Sequence, residues 1–171
     1  MATGEVRPVE RADPPQSGSE RETLTGLLDF LRGTIVNKVA GLSDEQAFGR
    51  PVPASELTPA GLVKHLTGVE RFWFSIDFAG LDAPEPWTAD DPHGNFPIGP
   101  ADTLAGIVAE YLAECERSRK ITAGAELGNR AKASGFDFSL RYALAHMIEE
   151  TGRHAGHLDL LRESIDGARG E

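Results

Sequence analysis

The chain contains a single cysteine, Cys115, so it can close no intrachain disulfide and can assemble no thiolate cluster for zinc. Any metal site must be built from His, Asp and Glu. Positive charge is also scarce: 17 Lys and Arg stand against 27 Asp and Glu, a formal net charge of −10. Proteins that grip a phosphate backbone concentrate Lys and Arg to release counterions, so nucleic acid is not an expected partner. No segment approaches the ~20 uninterrupted apolar residues of a membrane span, and the first residues lack the apolar core of a signal peptide. The expected compartment is cytoplasmic, with no membrane partner. What the chain does have is 171 residues, 40% of them apolar and 26% charged, enough to bury one ordinary core.

Residues 1–18 combine Pro, Gly, Ser and charges and read as a flexible N-terminal tail, leaving 19–171 as the folded domain. Ser19 with Glu22 has capping-box spacing, and Leu24, Leu27, Leu28, Leu31, Ile35 and Val39 recur at helical intervals, predicting a first helix over about 20–41. Ser43 can open a short helical turn before Pro51 and Pro53. Thr58-Pro59 looks like a cap followed by proline at the first helical position. Leu62, Leu66, Val69, Phe72, Trp73 and Ile76 then form an apolar stripe, so the second helix is expected over about 59–79. Residues 80–99 are rich in Pro and Gly and read as a long loop that crosses the body or covers a site. A third helix is expected from Pro100 to about Ala123, and a fourth, capped by Ser139 or Asp137, ends before Gly167. Four amphipathic helices without an alternating β pattern predict an all-α four-helix bundle, with a long crossover between the second and third helices.

Three of the five histidines fall in the fourth helix, in HMIEETGRHAGH. At the helical pitch, His146, Glu150, His154 and His157 fall within about 80° of one another, on a face bordering the apolar one. On the second helix, His65 is in register with Leu62, Val69, Phe72 and Ile76. Each unsatisfied polar group buried there would cost roughly 1–3 kcal/mol, and a charge more. A divalent metal would satisfy them: Glu150 and His154, four apart, form a two-ligand clip, and His65 supplies a third ligand from a facing helix. Three N/O ligands leave coordination positions open, the arrangement of catalytic sites.

These two helices, GLVKHLTGVERFWF and ALAHMIEETGRHAGHLDLLRE, resemble the DinB/YfiT-like metalloenzyme superfamily, and its actinobacterial mini-circle branch in particular. The resemblance covers nearly all of residues 20–169 and is most specific in the second and fourth helices. It implies an up-down-down-up bundle that binds a divalent metal, commonly zinc or nickel, through one histidine of the second helix and two residues four apart on the fourth. His65 matches the first position. The family pattern H-x-x-x-H-R-G-Q aligns with Glu150, His154, Ala155, Gly156 and His157, so Glu150 replaces the first histidine. The related mycothiol-dependent maleylpyruvate isomerase also has Glu-x-x-x-His there. His157 stands where Gln is usual, and three roles stay open for it: fourth metal ligand, base, or substrate contact.

The resemblance further implies a thiol-dependent S-transferase or isomerase acting on a small electrophile, with a low-molecular-weight thiol such as mycothiol or bacillithiol as cosubstrate. In that reading His157 and His146 are the catalytic proton carriers, and Arg153 is the candidate for binding an anionic cosubstrate. The partner would be a small molecule, and the bundle would be able to form a homodimer. The alternatives are a metal-dependent hydrolase with His157 as general base, and a non-catalytic metal- or ligand-binding stress protein. A transferase needs a pocket beside the metal, whereas a structural site would be closed. Arg141 reads as a surface ion-pair partner, Phe72 and Trp73 as core, Cys115 as a small buried hydrophobe, and His93 as a loop residue able to join a lid.

Overall fold

The computed structural model of the chain describes residues 4–170 except His93 and Ser134, so the expectation for His93 lies outside the described residues. The described chain is helical, and its single β-type contact is an isolated bridge between Arg130 and Ser139. Helix α1 spans Glu20–Val39, and its start is fixed by the expected capping box: the Ser19 amide donates to Glu22 Oε2 (2.7 Å) and the Glu22 amide to Ser19 Oγ (3.3 Å). A second box, Ser43 with Gln46, starts the short α2, Asp44–Phe48. Helix α3, Pro59–Glu70, is capped by Thr58 with proline at its start, and α5, Leu140–Asp166, is capped by Ser139. Helix α4, Leu104–Ala123, begins later than Pro100 because residues 99–102 close a turn of their own, in which the Gly99 amide donates to Asp102 Oδ2 (2.8 Å). Thr103 then caps the helix.

After Glu70 the chain of α3 continues as a π-helix, Arg71–Phe78. Wider i→i+5 turns carry one more residue per turn than an α-helix, so they rotate the buried face along the sequence. The expected stripe of Phe72, Trp73 and Ile76 is therefore only half buried, while Phe74, Ser75, Asp77 and Phe78 point inward. Periodicity at 3.6 residues could not anticipate that shift.

Helix α1 packs chiefly on α5, and α3 on α4, with α3 also reaching α5. Two apolar clusters result, one around Ile35, Leu62, Leu66, Tyr111 and Leu158, the other around Leu28, Phe74, Phe78, Leu144 and Met147. On α1 and α5, and at Thr67 of α3, buried polar residues fall in sequence between members of the two clusters: Arg32 with Thr34, Thr67, and Glu150 with Thr151 and His154; Glu70 lies within the second cluster, between Val69 and Phe74. Arg32 meets Glu70 in a bidentate pair, donating from Nε to Oε1 (2.7 Å) and from Nη2 to Oε2 (2.6 Å), with Glu70 fully buried. Such a planar fork is among the strongest polar contacts available, and removing one partner would strand the other charge.

The segment expected as a tail lies along α1 as far as it is described. Val6 is buried, its carbonyl accepts from the Gly41 amide (3.0 Å), and Val9 exchanges two backbone hydrogen bonds with the Asn37 side chain (2.7 and 3.0 Å). Two valines among the polar residues give this segment an apolar contact that its average composition conceals.

The π-helix also places one carboxylate at a cost. Asp77 is buried and its Oδ2 has no hydrogen-bond partner among the described residues. Burial, with the nearby Glu85 charge adding to it, pushes its carboxyl up to about 6. The native state therefore holds this proton more tightly than the unfolded chain, where the group titrates near 3.8, and loses stability as pH rises from about 4 through 6. Asp77→Asn is expected to stabilise the protein by about 1–2 kcal/mol at pH 7.5 and by little at pH 4. Urea unfolding at the two pH values measures this; equal effects at both would contradict it.

Candidate metal centre

His65 lies in the middle of α3, and Glu150 and His154 lie one turn apart on α5, so the contact between these helices brings the three together. A single oxygen joins them. Glu150 Oε1 accepts from His65 Nε2 (3.2 Å) and from His154 Nε2 (3.0 Å). The candidate ligand atoms of the three residues all lie within 4.8 Å of one another. Glu150 and His154 are buried and His65 is partly exposed, so the group borders solvent on one side only.

Arg153, three residues along α5 and half exposed, donates from Nη2 to the other oxygen of Glu150, Oε2. Burial alone would raise the Glu150 carboxyl; hydrogen bonds from His154, His65 and Arg153 outweigh it and hold the group well below the usual carboxylate range. Glu150 is thus ionised, with Oε2 engaged by Arg153 and Oε1 aimed at the imidazoles. In a neutral imidazole one nitrogen donates and the other accepts. With both Nε2 atoms donating to a carboxylate, His154 Nδ1 is left as acceptor, and His157 Nδ1 donates to it at 3.2 Å. Burial, then the positive potential of His154 and Arg153, holds His157 below its ordinary value, with Glu150 acting in the opposite direction.

The structure therefore unites His65, Glu150 and His154 and places His157 behind His154, outside that ligand group. His146 is placed elsewhere on α5, outside the His65, Glu150 and His154 group: its ring lies 4.3 Å from Trp73 and stacks on Tyr142. Arg141 pairs with Glu20, and Cys115 is buried with its thiol pushed up by burial, so it offers no nucleophile at neutral pH.

Two residues absent from the sequence expectations complete the centre. Asn95 and Phe96, on the 80–99 loop, cover His65: the Phe96 ring stacks on the imidazole at 4.1 Å and 16°, and Asn95 bonds its Nδ1 edge. The available signal was the pair of glycines flanking His65. A Cβ at Gly61 would come within 3.0 Å of the Phe96 carbonyl, and one at Gly68 within 2.8 Å of Asn95 Nδ2. Phe96 also lines a groove of about 750 Å³ together with Phe48, Arg50, Glu56, Leu57 and Ile98; the three candidate ligands are not among its lining residues.

Two imidazoles and one ionised carboxylate, converging from two helices, are the nitrogen and oxygen donors that first-row divalent ions prefer, and three protein ligands leave positions open. The hydrogen bonds through Glu150 Oε1 occupy the directions that ligation would take over, so the residues fit a divalent ion. Among known families, the model of Mycothiol-S-transferase matches residues 23–167. No curated protein matches the chain.

Protein purified without a metal-affinity tag is expected to carry about one divalent ion per chain by elemental analysis, and His65→Ala and His154→Ala each to lose it. Retention of the ion by both variants would place the metal elsewhere.

Proposed function

Because the chain belongs to the mycothiol-S-transferase family, we propose that it is a metal-dependent transferase that joins the sulfur of mycothiol to a small electrophile. The observation that carries this reading is the His65, Glu150 and His154 centre, together with a groove of about 750 Å³ that shares with it Phe96, the residue stacked on His65. That volume suits a small-molecule ligand, whereas a structural metal site would be closed on all sides.

His65, Glu150 and His154 would hold the ion, zinc or nickel. A bound divalent ion supplies Lewis acidity that favours the thiolate of a thiol otherwise mostly protonated at neutral pH. The remaining work falls to the chain's own groups. Arg153 fixes Glu150 Oε2 and so keeps Oε1 directed at the two histidines. With an ion on its Nε2, His154 would carry its proton on Nδ1 and donate it to His157 Nδ1, so His157 would hold the His154 ring in orientation while the thiol proton leaves to solvent. Phe48, Leu57, Phe96 and Ile98 offer an apolar wall for the electrophile's body, beside the ion pair of Arg50 with Glu56 (2.5 Å). The cytosol, where small thiols are kept reduced, is the compartment that suits this chemistry.

Metal-loaded protein mixed with mycothiol and a fluorogenic haloalkyl electrophile is expected to form the S-conjugate well above the uncatalysed rate, with Glu150→Gln slower by at least about 100-fold. Mass spectrometry of the conjugate, with bacillithiol and glutathione as comparison thiols, reads the outcome. Conjugation no faster than without protein for every thiol would refute the transferase reading.

A further inference from the structure

We propose that Asn95 is a positioning residue for His65, an amide that partners Nδ1 in either tautomer and so leaves Nε2 for the metal. The inference rests on the metal reading above.

Asn95 is buried and lies 30 residues from His65 in sequence. Its Nδ2 donates to the His65 backbone carbonyl (3.3 Å), a group that can only accept, and this fixes which way the amide faces. The same amide then presents both of its polar atoms to His65 Nδ1, Nδ2 at 3.1 Å and Oδ1 at 3.3 Å. Without an ion, Nε2 donates to Glu150 Oε1, so Nδ1 carries a lone pair and accepts from Asn95 Nδ2. With an ion on Nε2 the imidazole proton belongs on Nδ1, and Asn95 Oδ1 accepts it. A carboxylate could serve only the second state and an aliphatic side chain neither. Metal-ligating histidines commonly depend on such a partner for ring orientation and basicity.

The surrounding residues are arranged to bring this one amide to the ring. Gly68 removes the Cβ that would meet Asn95 Nδ2 at 2.8 Å and Pro86 Cβ at 2.7 Å. Lys64, the residue before His65, donates to the Pro97 carbonyl (2.7 Å) and to Asp102 Oδ2 (2.8 Å), tying the loop down just past Asn95. Phe96 covers the imidazole face. The long loop is thereby part of the metal centre.

The test measures zinc affinity by competition with a chromogenic chelator for the wild-type chain, Asn95→Leu, Asn95→Asp and Gly68→Ala, with circular dichroism to confirm folding. Nitrogen-15 spectra of the histidines in the zinc-loaded protein report the tautomer of His65. The wild type is expected to show Nδ1–H at His65. Asn95→Leu is expected to bind zinc about 10–100-fold more weakly, Gly68→Ala to weaken in the same direction, and Asn95→Asp, which still accepts from Nδ1–H, to stay within a few-fold of wild type. A merely structural role would weaken Asn95→Asp as much as Asn95→Leu, and that result overturns the proposal. So does an Asn95→Leu affinity equal to wild type, with the metal reading left standing. A wild-type chain that binds no zinc would instead remove the metal reading and this inference with it.

Discussion

One buried carboxylate oxygen, Oε1 of Glu150, constrains the placement of α3 against α5. A buried ionised carboxylate must have its lone pairs met, and here they are met from three directions: His65 on the facing helix, His154 one turn along, and Arg153 behind. Sliding α5 by a turn would leave that charge without its partner on α3. The contact that constrains the helix register is thus the contact that assembles the candidate metal centre.

The same logic runs through the polar residues that divide the core. Arg32 meets both oxygens of Glu70 and donates from Nη1 to Asp29 Oδ1 (2.8 Å), and Glu70 is the last residue before the π-helix. Beyond it the wider turns bring Arg71 and Ser75 to the buried Glu114 of α4, with contacts of 3.3 and 3.2 Å. Asp77 is left out: its buried Oδ2 has no partner among the described residues, and burial raises its carboxyl. Irregular winding of this kind recurs near functional sites, and here it lies directly after the helix that carries His65.

Much of the architecture was legible because it is written in local chemistry. Ser19 with Glu22, Thr58 with Pro59, and Ser139 announce helix starts through the donors they satisfy, and all three act as expected. His65, Glu150 and His154 were legible because a polar residue in register with an apolar stripe demands a partner. What escaped depends on distance in sequence or on departures from the 3.6 period. The π-helix exchanges Phe72, Trp73 and Ile76 for Phe74, Ser75, Asp77 and Phe78 on the buried face, and no cap or breaker marks it. Angular position grouped His146 with the other three, but a helix wheel ignores height along the axis, and His146 ends against Trp73 and Tyr142. Asn95 was invisible as one polar residue in a loop, although Gly61 and Gly68 around His65 record that something approaches the helix there.

If two imidazoles and one carboxylate hold a divalent ion between α3 and α5, X-ray absorption at the zinc edge of the loaded protein, without added thiol, will show a first shell of nitrogen and oxygen only, with multiple-scattering features of two imidazoles. A third imidazole in that shell would mean that His157 is a ligand as well, and sulfur in it would mean that Cys115 is drawn out of the core; either result would contradict a centre of His65, Glu150 and His154 alone.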